Sequence, residues 1–262
     1  MTTQNSGGAR LQHESQREIY LLALKHGSVD VATLAQQFEV TTETIRRDLS
    51  DMQHRQLVRR VHGGAVPVER LHHEPMVDAR DVQNADEKLR IAIDAISEIP
   101  PHGSVIIDSG STGQRLAEVF PVDRDVHVVT NSLMTAVTLS RRGLRQLTVL
   151  GGGVRTNTYA MVDGAALAAV RNIAVDVLFI SCDGLSFRRG LTTPYREESL
   201  MKRAMMESAR RIVAIVDQSK FGNGQMFRFA EFDELDVLIT DTRVDDDTFG
   251  LLSGHDLCVR RV

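Results

Sequence analysis

The sequence contains no tryptophan, two cysteines and six prolines, and aromatic residues make up only 5% of its 262 residues. Cys182 and Cys258 lack the spacing of a metal-binding or redox pair, so we expect both to be small buried apolar residues in a reducing compartment. Apolar runs are short, and the longest, such as Val175–Cys182, have the length of a strand rather than a membrane span. The polar N-terminus does not resemble a signal peptide. These absences predict a cytoplasmic protein without disulfides or membrane helices.

Metal-ligand patterns are also missing. The nine histidines form no HxH or HxxxH pair, and His72 and His73 lie in a polar stretch where solvated side chains are expected. We therefore expect neither a metal site nor an organic cofactor.

An excess of positive charge is absent as well, since the net charge is −4. The charge is unevenly distributed, however. Residues 1–66 carry eight Lys and Arg against seven Asp and Glu, and within residues 41–66 the counts are five and three. A nucleic-acid-binding surface would therefore be small and local, and one subunit would make few phosphate contacts.

The N-terminal 66 residues have the pattern of a winged helix-turn-helix domain. The predicted elements are a helix over Leu11–His26, a helix over Val31–Phe38 capped by Asp30, a helix from the Thr41 cap to about Gln56, and a hairpin over Leu57–Val66 that turns near Gly63. A helix followed by a basic hairpin suits a recognition helix and its wing.

The third helix has two distinct faces. Ile45, Leu49 and Met52 recur at helical spacing and form its apolar side. The opposite side carries Glu43, Arg46, Arg47, Ser50 and His54. A short helix of this kind fits the major groove of double-stranded DNA. Asp48 lies beside Ile45 and Met52, so we expect a structural contact inside the domain, because an acidic group would be repelled by phosphates.

After residue 66 the pattern changes. Residues 67–85 are polar and contain Pro67 and Pro75, which predicts a linker, and residues 86–262 alternate between strands and helices, which predicts an α/β domain with a mostly parallel sheet. The predicted strands are Ser104–Asp108, Val126–Thr130, Gln146–Leu150, Val175–Cys182, Ile212–Val216, Val237–Thr240 and Leu257–Val262. The predicted helices are Lys88–Ile99, Gly113–Phe120, Leu133–Arg141, Gly164–Arg171 and Glu197–Arg210.

Several of these strands end in small polar loops. Residues 109–113 read SGSTG between a strand and a helix, which gives backbone N–H groups and hydroxyls at a helix N-terminus, as an anion site requires. A common Gly/Ser turn would look the same. Because Asn131, Gly152, Asp183 and Lys220 also follow strands, a shared pocket at the carboxyl ends of the strands is indicated.

Two further features have more than one interpretation. Glu198 and Lys202 are four residues apart on a predicted helix, which suits either a surface ion pair or a pocket that binds a sugar hydroxyl and a phosphate. Lys88, near the start of the first helix of the α/β domain, is either solvated or a second partner for a phosphate.

The motifs together resemble those of the DeoR family of bacterial transcriptional regulators over nearly the whole chain. TIRRDL and RVHGGA lie in the N-terminal part, at 44–49 and 60–65. DSGST (108–112), VVTNS (128–132), LGGG (150–153), CDGL (182–185), ES-x2-K (198–202) and DQSKF (217–221) follow in the family's order.

The resemblance implies a sequence-specific regulator, a repressor of a carbohydrate operon, whose C-terminal sensor domain has the ribose-5-phosphate isomerase and CoA-transferase-like fold. It further implies double-stranded operator DNA and a phosphorylated sugar or related metabolite as partners, and a homo-oligomer, either a dimer or a tetramer. The implied DNA contacts are Thr41, Thr42, Thr44, Arg46, Arg47, Arg59 and Arg60. The implied effector contacts are Lys88, Ser109, Gly110, Ser111, Thr112, Asn131, Gly152, Asp183, Glu198, Lys202 and Lys220.

Two other functions are compatible with parts of the sequence. The α/β domain could be an active sugar-phosphate isomerase, with Glu198 and Lys202 as its acid–base groups. The isomerases that it resembles carry a second Asp after the DG dipeptide, whereas this chain continues with Leu185 and Ser186. The winged helix could instead bind protein or RNA. We expect a DNA-binding regulator without catalytic residues.

Overall fold

The computed structural model describes residues 15–16, 18–20, 22–23, 28–54, 57–67, 80–81 and 83–262. They form two compact units, divided between Arg70 and Leu71. Most of the predicted linker, with His72, His73 and Pro75, lies outside the described residues, as do the ends of the predicted first helix. No helix in the described ranges is both long and apolar enough to cross a bilayer.

The N-terminal unit is a helix-turn-helix with a wing. The described residues between 15 and 23 are helical, and the other elements are β1 (Val29–Asp30), α1 (Val31–Gln37), α2 (Thr42–His54), β2 (Val58–Val61) and β3 (Gly64–Pro67). The three strands form one antiparallel sheet in the order β1-β3-β2. Asp30 caps α1, because its carboxylate accepts the backbone N–H groups of Ala32 and Thr33 at 2.9 and 3.0 Å.

The apolar side of α2 forms the centre of this unit. Ile45, Leu49 and Met52 are completely buried. Asp48 is buried as well and accepts a hydrogen bond from the side chain of Gln16 at 3.3 Å. The interpretation of Asp48 as a structural residue is therefore confirmed.

The wing depends on a pair of glycines. Gly63 has φ = +80°, which non-glycine residues rarely adopt. A Cβ on Gly64 would lie 1.9 Å from the backbone oxygen of Val29, so β1 and β3 can pair only because no side chain separates them.

The C-terminal unit is built on a parallel seven-stranded sheet in the order β13-β12-β10-β7-β4-β5-β6. Its strands are β4 (His102–Ile107), β5 (Asp125–Thr130), β6 (Leu147–Val149), β7 (Val175–Ile180), β10 (Ala209–Ile215), β12 (Val237–Thr240) and β13 (Cys258–Arg261). Its helices are α3 (Ala85–Ala95), α4 (Ser111–Val119), α5 (Leu133–Arg141), α6 (Gly164–Val170), α7 (Arg196–Glu207) and α8 (Asp246–Ser253).

Both faces of this sheet are covered, because side chains alternate along each strand. Val105 and Ile107 of β4 pack in the cluster that includes Leu116 of α4, while Ile106 packs in the other cluster with Met201 of α7. The α/β fold class is thus confirmed, and the carboxyl ends of the central strands all lie at one edge.

A second sheet adjoins this edge. The short strands β8 (Gly184–Ser186), β9 (Gly190–Thr193) and β11 (Phe227–Ala230) pair antiparallel in the order β11-β9-β8. The sequence analysis predicted neither these strands nor α8. The strands were missed because runs of three or four residues give no usable period. One cysteine prediction is wrong: Cys182 is buried, but Cys258 on the edge strand β13 is exposed.

Candidate functional site

The predicted DNA contacts lie on exposed positions of α2 and the wing. All seven are exposed, namely Thr41, Thr42, Thr44, Arg46, Arg47, Arg59 and Arg60. The hydroxyl of Thr41 accepts the backbone N–H of Thr44 at 3.2 Å and so begins the helix. Arg46 pairs with Glu43 across 3.6 Å of the helix surface, an exposed contact that an incoming phosphate could replace at little cost.

The wing is joined to α2 by polar contacts that the sequence analysis did not anticipate. The guanidinium of Arg60 donates to Ser50 at 3.1 Å, and its backbone N–H donates to the side chain of Gln53 at 3.1 Å. These contacts hold the basic hairpin beside the recognition helix.

In the C-terminal unit, the loop from β4 to α4 forms an anion-binding geometry. Gly110 has φ = +133°, and no side chain caps α4, so the first-turn N–H groups of the helix remain available for a ligand. Gly113 permits the tight turn, because a Cβ there would lie 2.5 Å from the backbone oxygen of Asp108. Asn131 fixes the loop by accepting the backbone N–H of Ser109 at 2.9 Å.

This loop is one wall of a polar cleft at the carboxyl edge of the sheet. The lining residues are Arg80, Ser109, Gly110, Ser111, Thr112, Thr158, Ser181, Cys182, Asp183, Glu198, Lys202 and Lys220. The cleft thus combines three cations and two carboxylates with hydroxyl groups.

Lys202 lies at the base of the cleft and is already paired. Its ammonium group contacts the carboxylate of Asp108, which is 2% exposed, and donates to the backbone oxygen of Ser181 at 2.9 Å. Burial opposes the charge of Lys202, but the attraction of Asp108 and Glu198 outweighs burial and raises the pKa of this lysine. Lys202 is therefore a permanently charged part of the framework.

Asp183 and Glu198 present two carboxylates that share one hydroxyl partner. Thr193 Oγ1 lies 2.9 Å from Asp183 Oδ2 and 2.8 Å from Glu198 Oε2. Asp183 Oδ1 also accepts Arg80 Nη1 at 2.5 Å, and Glu198 Oε1 contacts Arg155. Burial alone would raise the pKa of Asp183, but the charges of Arg80 and Lys220 outweigh it and lower that pKa. Asp183 is thus an ionised acceptor.

Lys220 differs from the other two cations of the cleft. It is half-buried, and within the described part of the chain its ammonium group has no carboxylate at ion-pair distance. Its charge lowers the pKa of the neighbouring Asp217, although burial of that carboxyl acts in the opposite direction. Lys220 is therefore the cation that an anionic ligand can reach without displacing a protein carboxylate.

Three predicted effector contacts are not in this lining. Asn131 holds the 109 loop from behind. At Gly152, where φ = +117°, a Cβ would lie 2.2 Å from a carboxylate oxygen of Asp163, so the absence of a side chain here allows the two loops to pack closely. Lys88 is 2% exposed and donates to the backbone oxygens of Arg80 and, at 2.6 Å, Gln83. The other eight predicted residues do come together.

The sequence analysis missed four residues of the lining, which are Arg80, Thr158, Ser181 and Cys182. Burial raises the pKa of the Cys182 thiol to about 12, so this residue contributes an unreactive surface to the cleft.

One feature of the composition could have indicated the site. The chain has only four lysines, and Lys88, Lys202 and Lys220 all lie in or beneath the cleft. No group of His, Cys, Asp or Glu among the described residues is arranged to hold a metal ion.

The buried Lys88 makes stability depend on pH. Burial lowers the pKa of Lys88 to about 8 from its ordinary 10.5. Between these values the unfolded chain binds the proton and the folded chain does not, so Lys88 contributes a rise of the free energy of unfolding with pH, by up to about 1.4 kcal/mol per pH unit. Lys88→Met should remove the lysine contribution, so the wild-type curve should climb relative to the variant curve. Cys182, whose pKa is raised by burial, contributes a fall above its ordinary pKa of 9.0 in both proteins, so the Lys88 contribution is the difference between their curves. Urea unfolding of both proteins from pH 8 to pH 10.5 measures it, and parallel curves would contradict the assignment.

Comparison with known proteins agrees with this two-unit architecture. Residues 16–70 match the family model of the DeoR-like helix-turn-helix domain, and residues 83–242 match that of the DeoR C terminal sensor domain. The HTH-type transcriptional regulator GlpR of Haloferax volcanii is 34% identical over 91% of this chain and 93% of that protein. The glycerol-3-phosphate regulon repressor of Escherichia coli K12 is 28% identical over 93% of this chain and 96% of that protein.

Among solved structures, ribose 5-phosphate isomerase A from Neisseria gonorrhoeae aligns with 52% of this chain and 53% of its own, at 19% identity and a TM-score of 0.38. That partial likeness contributes nothing to the assignment of function. The two family models and the extended similarity to named regulators show that the chain belongs to the DeoR family of DNA-binding transcriptional regulators.

Proposed function

We propose that this regulator is a cytoplasmic repressor of a carbohydrate operon that a phosphorylated sugar releases from its operator. The observation that carries the proposal is the cleft, which an uncapped helix N-terminus, Lys220 and a pair of carboxylates line together. One relative is the repressor of a glycerol-3-phosphate regulon, which is consistent with a phosphorylated effector.

The phosphate end of the effector would bind at the 109–112 loop. Backbone N–H groups at the start of α4 and the hydroxyls of Ser109, Ser111 and Thr112 offer donors, and the helix dipole favours an anion there. Lys220 adds the positive charge that a dianion needs, because Lys202 is already neutralised by Asp108.

The sugar end would face Asp183 and Glu198. Ionised carboxylates accept hydrogen bonds from hydroxyl groups, and two of them a few ångströms apart suit the neighbouring hydroxyls of a polyol. The site would then discriminate against molecules without hydroxyls, since their binding would leave both carboxylates without solvent or ligand donors.

A binding role is better supported than turnover. Abstraction of a proton next to a carbonyl needs a carboxylate that is free to accept it. In this cleft Glu198 contacts Arg155 through one oxygen and Thr193 through the other. In addition, the Asp183-Gly184 dipeptide is followed by Leu185 and Ser186, whereas the isomerases that the domain resembles have a second Asp shortly after this dipeptide. Isomerase activity abolished by Glu198→Gln would overturn this view.

The proposed mechanism is a shift between two states of a homo-oligomer, either a dimer or a tetramer. The few cations of one winged helix give modest affinity, so at least two copies on repeated operator half-sites are required. The effector must bind the DNA-incompetent state more tightly, and it changes the spacing of the paired winged helices through the linker.

A thermal-shift screen of the full-length protein tests the effector class. We expect at least one phosphorylated sugar to raise the melting temperature while its unphosphorylated form does not, because ligand binding to the native state stabilises it. Lys220→Met should weaken the affinity for that ligand at least about tenfold, since a charge-assisted contact contributes roughly 1.5–3 kcal/mol.

The matched control is Arg210→Met, which removes a cation that is 83% exposed and outside the cleft lining. Equal stabilisation by the phosphorylated and the unphosphorylated sugar would contradict the phosphate site.

A further inference from the structure

The chain segment that enters the sensor unit is fastened to it by several side-chain contacts. This anchor segment comprises Arg80, Asp81, Gln83 and Asn84, with residue 82 outside the described residues. Arg115 donates to Asp81 at 2.8 Å, and Asn84 donates to Asp217 at 2.8 Å. Lys88 donates to the backbone oxygens of Arg80 and Gln83, and Arg80 pairs with Asp183.

One of these contacts is made inside the effector cleft. Arg80 and Asp183 both line the cleft, and their side chains are 11% and 14% exposed. The other contacts named above are made by side chains outside the lining. Arg80 therefore links the position of the anchor segment directly to what occupies the cleft.

The partner of Arg80 is one that a phosphorylated ligand can replace. A phosphate monoester carries about −1.5 to −2 charges near neutral pH, compared with −1 for a carboxylate, and a guanidinium binds it in a bidentate manner. Asp183, released from Arg80, would in turn be able to accept hydroxyl groups of the ligand. The Arg80–Asp183 pair would therefore form when the cleft is empty. When the cleft is occupied, Arg80 would pair with the ligand instead.

We propose that Arg80 is the coupling residue of this regulator, a proposal that rests on the proposed function. Without a ligand, the Arg80–Asp183 pair holds the anchor segment in the arrangement that favours operator binding. With an anionic sugar in the cleft, Arg80 leaves Asp183 for the ligand, the anchor segment shifts, and the linker between the two units transmits the change.

The proposal predicts that breaking the pair imitates the effector. The probe is a DNA duplex that the wild-type full-length protein selects from random-sequence DNA, and the measurement is its affinity without any sugar. Arg80→Gln and Asp183→Asn should each weaken binding about tenfold. The double variant should bind no worse than either single variant, because both remove the same interaction.

Two controls separate coupling from loss of structure. Arg90→Gln removes an exposed cation of α3, paired with Glu87 at 3.9 Å, and should leave affinity unchanged. Arg80→Lys preserves the charge and should retain operator affinity within a few fold, which a mere packing role would not predict. Thermal unfolding verifies that each variant is folded.

The outcomes are distinguishable. If the wild-type protein selects no DNA sequence, the proposed function fails. If the wild type selects an operator and Arg80→Gln binds it with unchanged affinity, the proposed function stands and the coupling role of Arg80 is overturned. The same conclusion follows if the effects of Arg80→Gln and Asp183→Asn add in the double variant.

Discussion

Replacing both Arg46 and Arg47 by alanine is expected to abolish specific operator binding, with a loss of at least about 100-fold in affinity. Both side chains are exposed on the polar face of α2, where arginines can read base edges or contact phosphates. Each such contact contributes roughly 1–3 kcal/mol, and each lost phosphate contact lowers the slope of log affinity against log salt by about one. Fluorescence anisotropy with a selected operator duplex, over a series of salt concentrations, measures both quantities.

The same double variant should remain folded. Ile45, Leu49 and Met52, on the other side of the helix, belong to the core of the N-terminal unit, whereas Arg46 and Arg47 are exposed. Arg210→Ala is a suitable control because it removes an exposed arginine of the C-terminal unit. Full operator affinity of the double variant would refute the placement of α2 in the major groove.

Lys202→Met is expected to destabilise the C-terminal unit by about 3–5 kcal/mol. The substitution leaves the carboxylate of Asp108, which is 2% exposed, without its cationic partner, and a buried unpaired charge is among the most costly defects in a protein. Urea unfolding followed by circular dichroism measures the loss, a choice that suits a chain without tryptophan. The double variant with Asp108→Asn should recover part of the stability, since it also removes the unpaired charge.

The adjacent residue provides a matched control. Arg203 is 43% exposed and pairs with two partly or fully exposed carboxylates, Glu207 of α7 at 3.2 Å and Glu234. Arg203→Met should cost at most about 1 kcal/mol, because exposed ion pairs contribute little in water. Equal losses from Lys202→Met and Arg203→Met would show that the Lys202–Asp108 pair is not a buried framework contact.

The cleft is a case in which sequence and structure contributed different information. The 109–113 loop was predictable, because a strand, a short polar segment with glycines and a helix are all local patterns. Glu198 and Lys202 were predictable as neighbours on one helix, but not as buried residues. Their burial depends on β8, β9 and β11, which are too short to be recognised and become strands only by pairing with each other.

By itself the sequence determined the helix-turn-helix with its wing, the strand and helix alternation of the sensor unit and the family of the chain, since all of these depend on local periods and motifs. Only the tertiary structure decided the role of each cation. It paired Lys202 with Asp108, 94 residues away, left Lys220 facing the cleft, and turned Lys88 towards the backbone of the anchor segment. It also brought Arg80, which the sequence assigned to a linker, to Asp183. Burial and the choice of partner are properties of distant chain segments packed together, so they lie beyond any local pattern.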